Sequence, residues 1–166
     1  IRSAWEKLPA GIGAEITTTR IDGGANWWAM GLSTDLEERF KGHHARNLMI
    51  VVDESPAIKP PIWKAIDAVR AGGNVRLLIL GNPTAAVGEF YAAFTSKSHL
   101  YRGFTTSAFD SPNLAGVTLE QLLEMDEDEL DLNPYPNLTT RRWVRELYTE
   151  LGPDHPMWEA NGLAQF

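Results

Sequence analysis

The sequence predicts an α/β fold, a mostly parallel sheet flanked by helices. Two runs, Asn47 to Val52 and Val75 to Leu80, are continuously apolar. Unbroken rather than alternating hydrophobicity is expected of strands buried on both faces of a parallel sheet. Between them Ile62, Ala65, Ile66 and Val69 recur at helical spacing. A third run, Tyr101 to Ala108, follows a further helical stretch, so strand and helix alternate.

In chain order, IRSAWEKL from Ile1 reads as the tail of a helix closed by Pro9 and Gly11. Glu15 to Ile21 is rich in β-branched residues and predicts a strand. Asp22-Gly23-Gly24 predicts a turn into a second strand, Asn26 to Leu32, giving a hairpin. Ser33 can cap a short helix through Phe40. After the strand at Asn47 to Val52, Pro56, Pro60 and Pro61 predict a loop, and Ile62 to Ala71 a helix ended by Gly72-Gly73. The strand at Val75 to Leu80 stops at Gly81-Asn82-Pro83, and Gly88 to Ser96 predicts another helix. Beyond the third strand, Thr118 to Glu129 and Thr139 to Leu151 read as helices. The organisation expected is a core over 1–115 and a helical part over 116–166.

At 166 residues and 43% hydrophobic, the chain suits one domain with a sizeable core. A net charge of −7 argues against a protein that simply coats nucleic acid. The absence of cysteine rules out disulfides and thiolate metal sites. No apolar run approaches the roughly 20 residues that a membrane helix needs. The first residue is Ile1, so a piece of a longer chain is expected.

The chemistry concentrates where two predicted strands end. One ends in Asp53-Glu54, the other in Asn82. Open parallel sheets bind ligands at the carboxyl ends of their strands. Carboxylates there suit Mg²⁺, which takes oxygen ligands and keeps its waters. A neighbouring Glu can take a proton from an attacking water. The bland alternative is an acidic pair that only caps the next helix. His43 and His44 are adjacent, which points them apart and argues for a loop rather than a metal site. One of Trp27 and Trp28 is expected in the core, with Trp63, Trp143 and Trp158. The acidic stretch Glu124 to Asp131 reads as a solvated helix end.

Several motifs occur in a telling order: GHHA from Gly42, LMIVVDES from Leu48, PPIWKAIDAV followed by AGG, LLILGNPT with VGEFYAAF beyond it, and TTSAFDSPN from Thr105. Together they resemble the ATPase domain of phage terminase large subunits, the motors that drive DNA into procapsids. The closing WEANGLAQF is similar to that family's linker towards its nuclease domain. The resemblance implies a RecA-like P-loop NTPase core, incomplete at its N-terminus, and the cofactors ATP and Mg²⁺. It implies that Asp53 holds Mg²⁺ through water, that Glu54 is the general base, and that Asn82 couples nucleotide state to movement. Gly81 joins Asp53 among the nucleotide-binding positions. A trans-acting arginine is also implied, with Arg39 and Arg46 as candidates by position. The implied partners are double-stranded DNA, a portal protein, a small terminase subunit and further copies in a homo-oligomeric ring, in the host cytoplasm and away from membrane.

One departure is physical. No G-x-x-x-x-G-K-[ST] loop exists, and the one Gly-x-Gly, Gly11-Ile12-Gly13, lacks the lysine. Without that loop the phosphate grip is missing. The resemblance therefore implies that the loop lies upstream and the nuclease domain downstream. It leaves two ways to complete the sheet: Phe104 to Ala108 pairs with Val75 to Leu80, or the missing strand lies elsewhere. A catalytically inactive α/β interaction module and another RecA-like ATPase, such as a helicase, are the competing readings.

Overall fold

In the computed structural model, residues 14–24, 27–33 and 42–166 are described. The helix expected from Ile1, most of the Ser33 to Phe40 helix, Gly11-Ile12-Gly13 and Arg39 lie outside the described residues. The chain forms two compact units, one from Ile1–Ile50 with Lys59–Leu77 and one from Val51–Ile58 with Leu78–Phe166.

The first unit holds a three-stranded antiparallel sheet, β1 (Glu15–Ile16), β2 (Arg20–Asp22) and β3 (Trp28–Met30), in that order. The expected hairpin is present, with Ile21 opposite Ala29. Its turn is an Asx turn, in which the Gly24 N–H donates to Asp22 Oδ1 at 3.1 Å. The single strand expected over Glu15 to Ile21 is instead two. Thr17 accepts the Arg20 N–H through its hydroxyl at 3.2 Å, and its own N–H bonds the Arg20 carbonyl at 2.8 Å. That local pairing competes with a continuous ladder and turns the chain.

Strand β4 runs over Asn47–Val52 and β5 over Asn74–Ile79, with helix α1 (Pro60–Arg70) between them in the chain. The two strands form a parallel two-stranded sheet. The Asn74 N–H meets the Arg46 carbonyl and the Leu80 N–H the Val52 carbonyl, each at 2.9 Å. The same sequence separation joins both pairs, which only parallel strands allow. Helix α1 begins at the two prolines that sequence reasoning assigned to a loop. Proline suits the first turn, where its missing N–H costs nothing. The predicted face is the buried one: Ile62, Ala65, Ile66 and Val69, with Trp63 added.

Two expectations about this sheet fail. The strands are not buried on both faces, because Met49 and Val51 in β4 are 62% and 54% exposed. Leu78 and Leu80 are exposed as well. Nor, among the described residues, does a third strand join this sheet. Tyr101 to Ser107 pairs with no strand among the described residues, and Phe104 is 72% exposed, with the Arg102 guanidinium 5.0 Å over its ring. Just downstream, Ser107 and Asp110 close a capping box that begins a 3₁₀ turn over Ala108–Asp110. Direct pairing of Phe104 to Ala108 with β5 is thereby excluded.

The second unit gathers the remaining helices: α2 (Gly88–Phe94), α3 (Leu119–Glu124), α4 (Glu127–Leu130), α5 (Arg141–Leu151) and α6 (Pro156–Gly162). Its core is Ala108, Leu114, Leu122, Leu130, Val144 and Trp158. The helix expected from Thr118 to Glu129 breaks after Glu124, because Asp126 caps a new helix through the Glu129 N–H at 2.9 Å. Trp143, expected in the core, is 42% exposed. The inward stripe of α5 is Val144, Leu147, Tyr148 and Leu151, and Trp143 falls one residue off it.

Buried Asn113 ties the long connection before α5 to the core. Its amide donates to the carbonyls of Tyr135 and Thr139 at 2.9 and 3.1 Å, and its Oδ1 accepts the Tyr135 N–H at 3.0 Å. The Arg141 Nε donates to the Asn113 carbonyl at 2.8 Å. The acidic stretch is more than a solvated helix end. Arg142 bridges Glu127 at 2.7 Å and Asp131 at 2.8 Å, and Arg145 bridges Glu127 at 2.8 Å. Hydrogen bonds from Arg142, reinforced by Arg145, hold the Glu127 carboxyl below its usual range, and Arg142 does the same to Asp131.

Fully buried Leu122 should be costly to truncate. Leu122→Ala is expected to lose about 2–5 kcal/mol, and Asn113→Ala about 1–3 kcal/mol for each polar group left buried without a partner. Urea unfolding measures both, and variants as stable as the parent would refute this account of the core.

Lowered carboxylate values fix the sign of a pH effect. The bonds to Glu127 and Asp131 contribute fully above their ordinary values of 4.5 and 3.8 and are lost as pH falls below them. Stability followed by denaturation from about pH 7 to about pH 3 should fall less steeply in Arg142→Met than in the parent. Parallel curves would remove these ion pairs from the account.

Candidate functional site

The paired ends of β4 and β5 bring four of the predicted residues to one corner of the second unit. Val52 is the hinge of this corner. Its carbonyl accepts both the Leu80 N–H at 2.9 Å and the Ser55 hydroxyl at 2.8 Å. The Ser55 N–H returns to the Leu80 carbonyl at 2.9 Å. Pairing therefore continues past both strands, and Ser55 is 1% exposed while Asp53 and Glu54 between them stay in solvent.

Bringing Ser55 back to Leu80 within two residues bends the chain sharply. Glu54 absorbs the bend in the left-handed region, at φ 51° and ψ 40°. A non-glycine residue pays for that conformation through its Cβ, and such outliers gather at functional sites. Two bonds hold it there. The Glu54 N–H donates to Asp53 Oδ1 at 3.0 Å, and the Ala57 N–H donates to the Glu54 carbonyl at 3.0 Å, starting the 3₁₀ turn Ser55–Ala57.

Gly81 has a packing reason to be glycine. A Cβ there would sit 2.5 Å from Pro56 Cδ and 3.3 Å from the Ser55 nitrogen. The chain of β5 thus passes directly against the turn that carries the acids. Asn82 follows, exposed. Its Nδ2 donates to Asn161 Oδ1 of α6 over a long 3.4 Å. The Thr84 N–H closes a tight turn onto the Asn82 carbonyl at 2.8 Å.

Arg46 precedes β4, whereas Asp53 and Glu54 follow it, and it falls in the first unit. His43 lies against Trp28, ring centroids 6.0 Å apart. Among the described residues no group of three or more His, Asp or Glu could hold a metal. Ser55, Pro56 and Asn161 are the residues that sequence reasoning missed. The Ser-Pro directly after Asp-Glu is a signal for a turn there; Asn161, 79 positions from Asn82, has none.

The corner offers two carboxylates and one amide. That suits a Mg²⁺ held through one or two carboxylates and its waters. The G-x-x-x-x-G-K-[ST] motif that grips phosphates in P-loop proteins is absent from the sequence. No family model, no curated protein and no solved structure matches this chain.

Close packing at Gly81 is testable without knowing the function. Gly81→Ala is expected to cost about 1–3 kcal/mol, and adding Pro56→Ala should recover part of that loss. A double-mutant cycle on unfolding free energies reads the coupling, and purely additive effects would refute the contact.

Proposed function

We propose that this chain is the acidic-strand and coupling half of a RecA-like ATPase of the terminase large-subunit kind. The observation that supports it is the hydrogen-bonded adjacency of the two strand ends, with Asp53-Glu54 beside Gly81-Asn82. On this reading Asp53 accepts hydrogen bonds from the water shell of Mg²⁺. Glu54 takes the proton from the water that attacks the terminal phosphate. Asn82 presents its amide to the same water or phosphate. Mg²⁺, when bound, would offset charge on the nucleotide's phosphates. The G-x-x-x-x-G-K-[ST] loop that such an ATPase uses to bind phosphate does not occur in these 166 residues.

Within that reading Arg46, exposed ahead of β4, remains a candidate to act on a neighbouring subunit's nucleotide. Double-stranded DNA, a portal protein, a small terminase subunit and a ring of identical copies follow as partners in the host cytoplasm. Among the described residues no helix is long and apolar enough to cross a membrane. A second reading, a non-catalytic interaction module, is favoured by one observation: Met49, Val51, Leu78 and Leu80 leave apolar side chains in solvent.

ATP turnover decides between the two. The 166-residue chain alone should hydrolyse almost none, since it has no phosphate loop. The full-length gene product should hydrolyse ATP, and Glu54→Gln should slow it by on the order of 10²-fold or more with binding retained. Motor-level turnover by the chain alone, or a full-length product indifferent to Glu54→Gln, would sink the ATPase reading.

A further inference from the structure

Helix α6 and the residues after it make three contacts within the second unit that packing alone does not require in this order. At the root, Trp158 is 2% exposed and meets Tyr148 and Phe109 edge-on, at 5.0 and 6.3 Å between centroids. In the middle, Asn161 Oδ1 takes the Nδ2–H of Asn82 at 3.4 Å. At the far end, Phe166 packs on α2, with its ring 4.9 Å from Tyr91 and 5.7 Å from both Phe90 and Phe94. The segment between is shaped for this. Ala164 turns the chain at φ 53°, and the Gln165 N–H is tied back to the Glu159 carbonyl at 2.9 Å.

These contacts bracket the Asn82 loop. Its side chain is held by Asn161, and α2, the helix that follows the loop, is held by Phe166. An exposed asparagine without a partner samples several rotamers, and its amide faces a bound ligand only part of the time. Holding Nδ2 to one side turns the amide oxygen to the other and keeps the group pre-oriented.

We infer that Asn161 is a positioning residue for Asn82, and that the α6-to-Phe166 segment is the strap that fixes the amide and α2 together. The inference rests on the ATPase reading for what Asn82 touches, but the contact itself does not depend on it. With Nδ2 kept on Asn161, the Asn82 amide oxygen is left to accept a hydrogen bond from the attacking water.

The test uses the full-length gene product with Asn161→Ala, Asn161→Asp and Asn82→Ala. Aspartate keeps the accepting oxygen at nearly the same shape, so Asn161→Asp should rescue what Asn161→Ala loses. With labelled asparagine, the Asn82 side-chain amide resonance should move in Asn161→Ala and stay close to its original position in Asn161→Asp. In ATP hydrolysis, Asn161→Ala should lower kcat by on the order of tenfold with KM changed by less than about twofold. Adding it to Asn82→Ala should cost nothing further. An Asn82 amide that ignores Asn161→Ala, or a kcat that Asn161→Asp fails to restore, overturns the role of Asn161 and leaves the ATPase reading standing. A parent protein that hydrolyses no ATP overturns that reading and, with it, the catalytic part of this inference.

Discussion

The corner depends on a single carbonyl. Val52 is buried, and its oxygen accepts two hydrogen bonds, one from the neighbouring strand and one from the hydroxyl of Ser55. A carbonyl has two lone pairs, and here both are used. Because Ser55 must reach back to that oxygen, the two residues between cannot continue the strand. They are forced out as a short acidic loop, with Glu54 bearing the bend. Because the Ser55 N–H must also find Leu80, β5 is drawn in until only glycine fits at position 81. Strain at Glu54, the close approach at Gly81 and the location of Asn82 are therefore consequences of one knot of three hydrogen bonds.

Much of this was legible in the residues, and the limits have physical causes. The paired strands, the helix between them and the hairpin ahead of them follow from periodicity and turn chemistry, which are local. Even the acids at the end of β4 could be read, since a change from apolar to charged residues marks where a strand leaves the core. Burial was misread because a continuous apolar run says what a strand tolerates, not what covers it. Met49 and Val51 tolerate burial and lie in solvent. The third strand failed for a related reason. Tyr101 to Ala108 is strand-like in composition, but a strand needs a neighbour's ladder, and Ser107 and Asp110 offer the backbone a nearer partner.

The second unit shows how stability and site are kept apart. Leu122, Leu130 and Val144 are wholly buried, and Asn113 satisfies its amide and both neighbouring chains at once. The ion pairs around Arg142 sit outside this core, with Glu127 and Asp131 largely exposed, so solvent screens them and they add little beyond local order. The acidic corner, by contrast, contributes strain rather than stability. What holds its shape is backbone hydrogen bonding, which leaves the exposed side chains available.

The order of the two acids has a consequence of its own. Aspartate enters the left-handed region more readily than glutamate, because its short side chain can bond locally. The chain nevertheless puts aspartate at position 53, where the side chain bonds the next N–H, and glutamate at position 54, where the backbone is strained. The two carboxylates are thereby made unequal. One is short and tethered to the main chain; the other is a bond longer and exposed, and the N–H that follows it goes to the Leu80 carbonyl instead. Two residues that a charge count treats as the same are, by geometry, an anchor and a reach.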